Sequence, residues 1–345
     1  MTLKRVVKVL IVDDSLFFRT ALQRALLNDP GITVVGTAGG AAEAAKKIQE
    51  LSPDVITMDV EMPDMKGTDF IRKMLPKHPI PVLLVSSLDI GIFEALDAGA
   101  VDFVRKPNCI GVDCSGFFNE LAVKIKIAST AKVKTKTPIN LDALATPTLN
   151  VSGKGEKIIA IGASTGGTEA TLEILKKLPA NIPGILVVQH MPAGFTKMYA
   201  DRLDRLCNFS VTEAKGGERV EPGRAFIAAG DKHMTLAKDS RGYYIKCAAG
   251  EKVSGHCPSV DVLFHSVAET AGKDAMGIIL TGMGSDGAKG LLEMKKKGSY
   301  TIGQDKASCV VYGMPMVAFE MGAVTRQAAC SSIASLIIQR LNQAK

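Results

Sequence analysis

A chain of 345 residues with 46% hydrophobic and 22% charged residues has the length of about two domains and an ordinary globular composition, which excludes a disordered, collagen-like or disulfide-stapled class. No run reaches the roughly 18 unbroken apolar residues of a membrane helix. The net charge of +7 is spread thinly beyond residue 107 and comes with no Trp and five Tyr, which speaks against a nucleic-acid groove.

The opening residues 1–8 are basic and then apolar, as in a signal peptide. The apolar run ends at Asp13-Asp14 without a small-residue cleavage site, so it is read as the first strand of a cytoplasmic protein. Strands are predicted at 6–12, 32–37, 55–58, 82–85 and 101–104. Each is short, rich in Val and Ile, and apolar almost throughout, as strands covered on both faces are. Helices are predicted at 17–27, 41–51, 68–75 and 92–98. Five such strand–helix units make a doubly wound, five-stranded parallel sheet. Beyond Lys106-Pro107 the texture changes. Residues 117–129 have the pattern of one more helix, and the Lys-, Thr- and Pro-rich stretches 132–138 and 146–148 read as linker. Domains are therefore placed at 1–107 and 157–345, with 108–156 as the linker.

Regular pattern resumes at 157–162 with a strand, a glycine turn and a helix. Buried strands are predicted at 184–189, 225–228 and 275–281, and helices at 259–271 and 285–297. Residues 234–237 and 243–247 pair as a hairpin through Ser240-Arg241-Gly242. The fold class expected is α/β in both domains, the second with a mainly parallel sheet and a small hairpin. The seven cysteines are an odd set without a C-x-x-C pair, so neither a disulfide framework nor a zinc site is expected.

In open α/β sheets functional groups gather beyond the carboxyl ends of the strands. Asp13 and Asp14 follow the first predicted strand, Asp59 the third, Ser86 the fourth and Lys106 the fifth. Any one of them is ordinary as a turn or cap residue, but five at one sheet edge define a site. Carboxylate oxygens suit Mg2+, and a central carboxylate can act as nucleophile toward a phosphoryl group. A lysine and a hydroxyl beside it can hold the phosphoryl oxygens. The stretches Val12-Asp13-Asp14-Ser15, Met58-Asp59-Val60-Glu61-Met62-Pro63, Val85-Ser86-Ser87 and Lys106-Pro107 resemble the receiver domain of two-component response regulators across 6–107. The resemblance implies that Asp59 is the phosphoacceptor. It implies that Asp13, Asp14, Asp59 and the backbone carbonyl of Glu61 hold Mg2+, and that Ser86, Phe103 and Lys106 form the receiver switch. Residues 88–99 are about one helical turn, roughly four residues, shorter than the family's segment.

In the back half, Gly162-Ala163-Ser164-Thr165-Gly166-Gly167 follows a strand and opens a helix. It satisfies G-x-S-x-G, in which a tight turn exposes a serine nucleophile. It equally satisfies an anion-cradling glycine loop, though neither Walker A nor G-x-G-x-x-G. A nucleophilic serine needs a base. Of the five histidines, His190 ends the predicted strand 184–189 on the same edge as Ser164. His78 lies in the front domain, His265 mid-helix and His233 beside the hairpin, while His256, in a glycine-flanked loop, is a candidate for a supporting or substrate-loop role. The base needs an orienting acid. Asp286, in the turn after strand 275–281, is the acid best placed to meet His190; its bland alternative is a helix cap, which Ser285 fills equally well. The glycines around it permit close backbone approach, and N–H groups near Met283 can serve an oxyanion. The order Ser, His, Asp departs from the Ser, Asp, His of α/β-hydrolases, so this triad is an independent arrangement.

The stretches Ile161-Gly162-Ala163-Ser164-Thr165-Gly166-Gly167-Thr168, Val188-Gln189-His190-Met191-Pro192, His256-Cys257-Pro258-Ser259-Val260-Asp261 and Leu280-Thr281-Gly282-Met283-Gly284-Ser285-Asp286-Gly287 resemble the chemotaxis methylesterases, the CheB family. Its members fuse a receiver to a catalytic domain, and the resemblance spans nearly the whole chain apart from the linker. It implies a phosphorylation-activated hydrolase that removes methyl esters from glutamyl residues of methyl-accepting chemotaxis receptors, releasing methanol, and that deamidates receptor glutamines. Ser164 is then the nucleophile, His190 the general base and Asp286 the orienting acid. Thr165 and Met283 lie beside the oxyanion site, with His256 in support. The hydrolysis needs no cofactor; Mg2+ belongs to the receiver. Partners are the receptors as substrate and a chemotaxis histidine kinase as phosphodonor, with no nucleic acid and no membrane insertion. A cytoplasmic monomer is expected. The receiver hinders the active site until Asp59 gains a phosphoryl group, which adds about −1.5 to −2 charges. Cys257 stands where the family has a basic residue, and Lys306 where it has an acid. The competing reading is a non-enzymatic response regulator with a partner-binding C-terminal domain; a serine esterase or amidase with another substrate is a further one.

Overall fold

A computed structural model describes residues 6–87, 91–107, 114–133 and 157–343. The chain forms two compact units that divide at residue 140. Most of the expected linker, residues 134–156, lies outside the described residues, as do 1–5 of the basic opening and 88–90 of the shortened segment.

The first unit runs β1 (Val7–Val12), α1 (Leu16–Leu26), β2 (Ile32–Ala38), α2 (Ala41–Leu51), β3 (Val55–Met58), α3 (Gly67–Met74), β4 (Val82–Ser86), α4 (Ile92–Ala98), β5 (Asp102–Arg105) and α5 (Ser115–Ala128). Its five strands pair in parallel in the order β2-β1-β3-β4-β5. All four residues of β3 and all five of β4 are buried, which is why these segments read as continuous apolar runs. Helix α1 starts at Ser15, whose side chain accepts from Phe18 N at 3.2 Å. It buries Phe18, Leu22 and Leu26, an i, i+4, i+8 stripe.

Helix α5 lies beyond the expected boundary at 107, yet it packs with the first unit. Its Leu121 and Ile125 lie in the same buried cluster as Val9, Ile11, Leu83 and Val104. Residues i and i+4 share a helix face, and here that face covers one side of the first sheet. A linker beginning at 108 would strip this cover from the core, so α5 belongs with the first unit.

The second unit runs β6 (Ile158–Ala163), α6 (Gly167–Leu175), β7 (Gly184–Gln189), α7 (Phe195–Leu206), β8 (Ser210–Glu213), β9 (Arg224–Ile227), β10 (His233–Asp239), β11 (Gly242–Ala248), α8 (Val260–Thr270), β12 (Ala275–Ile279), α9 (Ala288–Lys296), β13 (Tyr300–Gln304), α10 (Met314–Glu320), β14 (Arg326–Ala328) and α11 (Cys330–Gln343). Seven strands form a parallel sheet in the order β14-β13-β12-β6-β7-β9-β8. Strands β10 and β11 form a separate antiparallel hairpin. The hairpin buries Met234, Leu236 and Ile245 in one cluster with Phe264 and Val267 of α8. Two further bonds fix it to that helix: Leu236 N donates to Ser266 Oγ at 3.0 Å, and Thr270 Oγ1 donates to Leu236 O at 3.1 Å.

The chain adds β7, β9 and β8 on one side of β6, and β12, β13 and β14 on the other. The direction of strand addition therefore reverses beside β6, where open α/β sheets form their ligand crevice beyond the carboxyl ends. Among the described residues no helix is long and apolar enough to cross a membrane.

Candidate functional site

In the first unit, Asp13, Asp59, Ser86 and Lys106 stand at or just beyond the carboxyl ends of β1, β3, β4 and β5. One carboxylate oxygen from each of Asp13, Asp14 and Asp59 lies within 4.8 Å of the others. Asp13 and Asp59 are buried and Asp14 is exposed. The Lys106 ammonium sits 2.6 Å from Asp13 Oδ2 and also pairs with Asp59. Burial works against its charge, yet its hydrogen bonds to the two carboxylates outweigh burial and raise its pKa, so Lys106 is held as a cation. Asp59 Oδ1 accepts from Val60 N at 2.7 Å. Ser86 is buried, and so is Phe103, with the Lys124 ammonium 5.4 Å from its ring centroid. Glu61 is exposed, two residues past Asp59. An oxygen-only donor set with one exposed carboxylate suits a hard divalent cation that keeps some of its water.

In the second unit, Ser164 follows β6, His190 follows β7 and Thr281–Asp286 follow β12. These are three adjacent strands of the sheet. The turn after Ser164 needs glycine at Gly166, which sits at φ +76° as the cap before α6, a conformation that glycine adopts without steric cost. Gly167 N donates to Ser164 O at 2.7 Å, and Ser164 N donates to Thr281 O at 3.0 Å. Glycine is required again at Gly282, where a Cβ would lie 2.7 Å from Ser164 Cβ and 2.4 Å from Met314 Sδ.

His190 N donates to Ala163 O at 3.1 Å, and its ring Nε2 lies 2.8 Å from Asp286 Oδ2. The two side chains are 8% and 2% exposed, so the pair is shielded from water. Asp286 accepts three more bonds: from Ser259 Oγ at 2.7 Å, Val260 N at 2.8 Å and Asp261 N at 3.0 Å. Burial raises its pKa, but the His190 bond, the His190 charge and the two backbone N–H groups together hold it below the ordinary carboxylate value. An ionised Asp286 accepts a proton bond at Nε2, which leaves the lone pair of a neutral ring on Nδ1. Nδ1 is buried and has no hydrogen-bond partner among the described residues.

Asp286 does cap a helix, but not its own. Helix α9 begins after Gly287 without a side-chain cap, whereas Asp286 caps α8 through Val260 N and Asp261 N. Ser259 is the N-cap residue of α8 as well, accepting from Val262 N. The helix predicted at 259–271 takes Ser259 in as its first residue, and the serine's bond to Asp286, 27 positions away, has no mark in the sequence.

The remaining candidates fall as follows. The His256 ring stacks on His190 at 3.6 Å between centroids and 11° between planes. Thr165 is buried and its carbonyl accepts from Thr281 Oγ1 at 3.0 Å. Met283 is 46% exposed, on a loop pinned by Gly313 N and Met314 N donating to Gly282 O. His233 Nδ1 accepts from Ser259 N at 3.2 Å, so it supports the α8 turn. His265 is exposed on α8, and Cys257 is half-buried beside His256.

The fold and sites together define a class: a receiver-type sheet with an acidic cluster, carried in one chain with an α/β unit of serine-hydrolase type. Residues 9–111 match the response regulator receiver domain, and residues 159–337 match the CheB methylesterase family. The chain is 50% identical to the protein-glutamate methylesterase/protein-glutamine glutaminase 2 of Syntrophomonas wolfei subsp. wolfei, over 99% of this chain and 100% of that one. It is 44% identical to the protein-glutamate methylesterase/protein-glutamine glutaminase of Salmonella typhimurium, over 97% of each. The solved CheB methylesterase catalytic domain of Thermotoga maritima superposes with a TM-score of 0.52 at 39% identity, covering 54% of this chain and 98% of that one. The chain belongs to the CheB methylesterase family.

Proposed function

We propose that this chain is a phosphorylation-activated protein-glutamate methylesterase that also deamidates glutamines, acting in the cytoplasm on methyl-accepting chemotaxis receptors. Its relatives across the full length carry those two activities in their names. The observation that carries the reading is the shielded His190–Asp286 bond at 2.8 Å, one strand away from Ser164. In the proposed reaction His190 Nδ1 takes the Ser164 proton as Oγ attacks the glutamyl ester carbonyl. Asp286 stabilises the imidazolium. The carbonyl oxygen becomes an oxyanion beside Thr165 and Met283, where backbone N–H groups stabilise it. Collapse breaks the C–O bond, and the leaving methoxide takes the His190 proton to depart as methanol. Water, deprotonated by His190, then attacks the acyl-serine; the bond to Ser164 Oγ breaks, His190 returns the proton to Oγ, and the receptor keeps a glutamyl carboxylate. A glutamine substrate follows the same course with ammonia as leaving group. His256 keeps the His190 ring in plane.

In the receiver, Asp59 is the phosphoacceptor, and Asp13, Asp14, Asp59 and the Glu61 carbonyl would hold Mg2+. When bound, Mg2+ would supply positive charge for phosphoryl transfer. Lys106 and Ser86 bind the transferred phosphoryl group, and Phe103 reports the change. A chemotaxis histidine kinase donates the group. The linker falls within 134–156, the receiver before it and the catalytic domain from 157.

The test is methanol release from radiolabelled, methylated receptor membranes, with and without a small phosphodonor plus Mg2+. Wild type should release methanol, faster with phosphodonor. Ser164→Ala should release none, and Asp59→Asn should keep the basal rate but lose the stimulation. Full release by Ser164→Ala would overturn the reading.

A further inference from the structure

Strands β6 and β7 stay in register as far as the pair Ala163 and Gln189. The ladder's last bond is His190 N to Ala163 O. Beyond it Ser164 turns into α6, and His190 leads to Met191-Pro192, where proline has no N–H for a further rung. The two residues proposed as nucleophile and base therefore leave the sheet at the point where backbone pairing ends.

One side chain bridges that gap. Gln189 Nε2 donates to Ser164 O at 2.9 Å and to His190 O at 3.3 Å. A primary amide carries two N–H groups, and here each goes to the carbonyl of a different reacting residue. Gln189 is 3% exposed, out of reach of substrate. Its packing is close: a Cβ on Gly167 would lie 2.3 Å from Gln189 Oε1.

Packing alone does not account for a glutamine here. Gln189 Oε1 is buried with no hydrogen-bond partner among the described residues, and an unsatisfied buried acceptor is a cost to the fold. An apolar side chain of equal length would remove that acceptor, but it would leave His190 O without this donor and Ser164 O with Gly167 N alone. What it would lack is the paired donor.

We infer that Gln189 is a positioning residue: its amide nitrogen ties the Ser164 and His190 backbones together and so sets the approach of Ser164 Oγ to His190 Nδ1. The inference rests on the proposed roles of Ser164 and His190. Small displacements of reacting groups cost large factors in rate, so loss of the tie acts on kcat. It leaves substrate contacts, and hence KM, in place.

The experiment compares full-length wild type, Gln189→Met and Gln189→Glu, with phosphodonor and Mg2+ present. It measures kcat and KM for methanol release from methylated receptor membranes, and Tm for each protein. For Gln189→Met, kcat of the folded protein is expected to fall by about tenfold or more, with KM within about twofold, while Tm moves only modestly, since one unsatisfied acceptor is exchanged for another. Gln189→Glu is expected to lose more, because a carboxylate faces both carbonyls. A Gln189→Met kcat close to wild type would overturn the inference. So would a loss of rate that disappears once corrected for the folded fraction, since that marks a purely structural role. A wild type that releases no methanol would overturn the reading of the site itself, and this inference with it.

Discussion

Asp286 takes four donors onto two oxygens: an imidazole, a hydroxyl and two backbone N–H groups. Hydrogen bonding to the charged form favours it, and here it overcomes burial, so the folded-state pKa lies below the unfolded one. A carboxyl shifted in this direction stabilises the fold at pH above its unfolded value, and that contribution is lost as pH falls through the depressed folded value. Asp286→Asn should therefore be less stable than wild type near neutrality, with the gap closing in acid. Urea midpoints at about pH 7 and about pH 3 check this; a gap of the same size at both would count against it. At this scale much was legible, because Ser164, His190 and Asp286 each stand just past an apolar run. The identity of the imidazole nitrogen that meets the acid was not, since no chain pattern reports a ring orientation. Gln189 is illegible for a related reason: a polar residue ending a buried strand carries no local mark of the carbonyls it will meet.

Helix α8 shows what an element adds to a residue. The hairpin of β10 and β11 packs against it, and its N-terminus, with Ser259 and the first N–H groups, faces Asp286. Helix N-termini favour anionic groups, so the fold of one element holds the charge on a residue of another. Ser259→Ala removes an N-cap and a hydrogen bond to a buried carboxylate together, and should cost about 1–3 kcal/mol of stability. Denaturant melts of the two proteins measure it, and a difference of a few tenths of a kcal/mol would show that the cap is carried elsewhere. Elements with strong periodicity were readable: the five front strands, the hairpin, β6, β7, β9 and β12. Strands β13 and β14 were not. β13 reads Tyr-Thr-Ile-Gly-Gln and β14 has three residues, so neither forms an apolar run. Thr301 in β13 is buried with its hydroxyl bonded to Ala323 O at 2.7 Å, Thr325 Oγ1 at 2.9 Å and Thr325 N at 3.0 Å.

At the scale of the molecule, each unit has its own buried cluster, one around β1, α1 and α5 and one around α8, β6 and the hairpin. All three residues proposed for catalysis lie in the second unit. A chain lacking residues 1–140 should therefore fold and release methanol in a Ser164-dependent way, and a phosphodonor should have no effect on it. Thermal melts together with methanol release test this, and a fragment that folds but is inactive would overturn it.

Local chemistry was enough to establish two α/β units, the carboxyl edges where functional groups collect, and the resemblance that names the family. Apolar runs, caps and glycine turns are short-range properties written within a few residues. Three-dimensional packing settled what the chain order leaves open: that α5 completes the first core, and that Asp286 caps α8 rather than its own helix. His190 and Asp286 are 96 positions apart in the chain. Contacts of that separation follow from strand order in the sheet, and strand order is set by which buried faces cover one another rather than by any local signal.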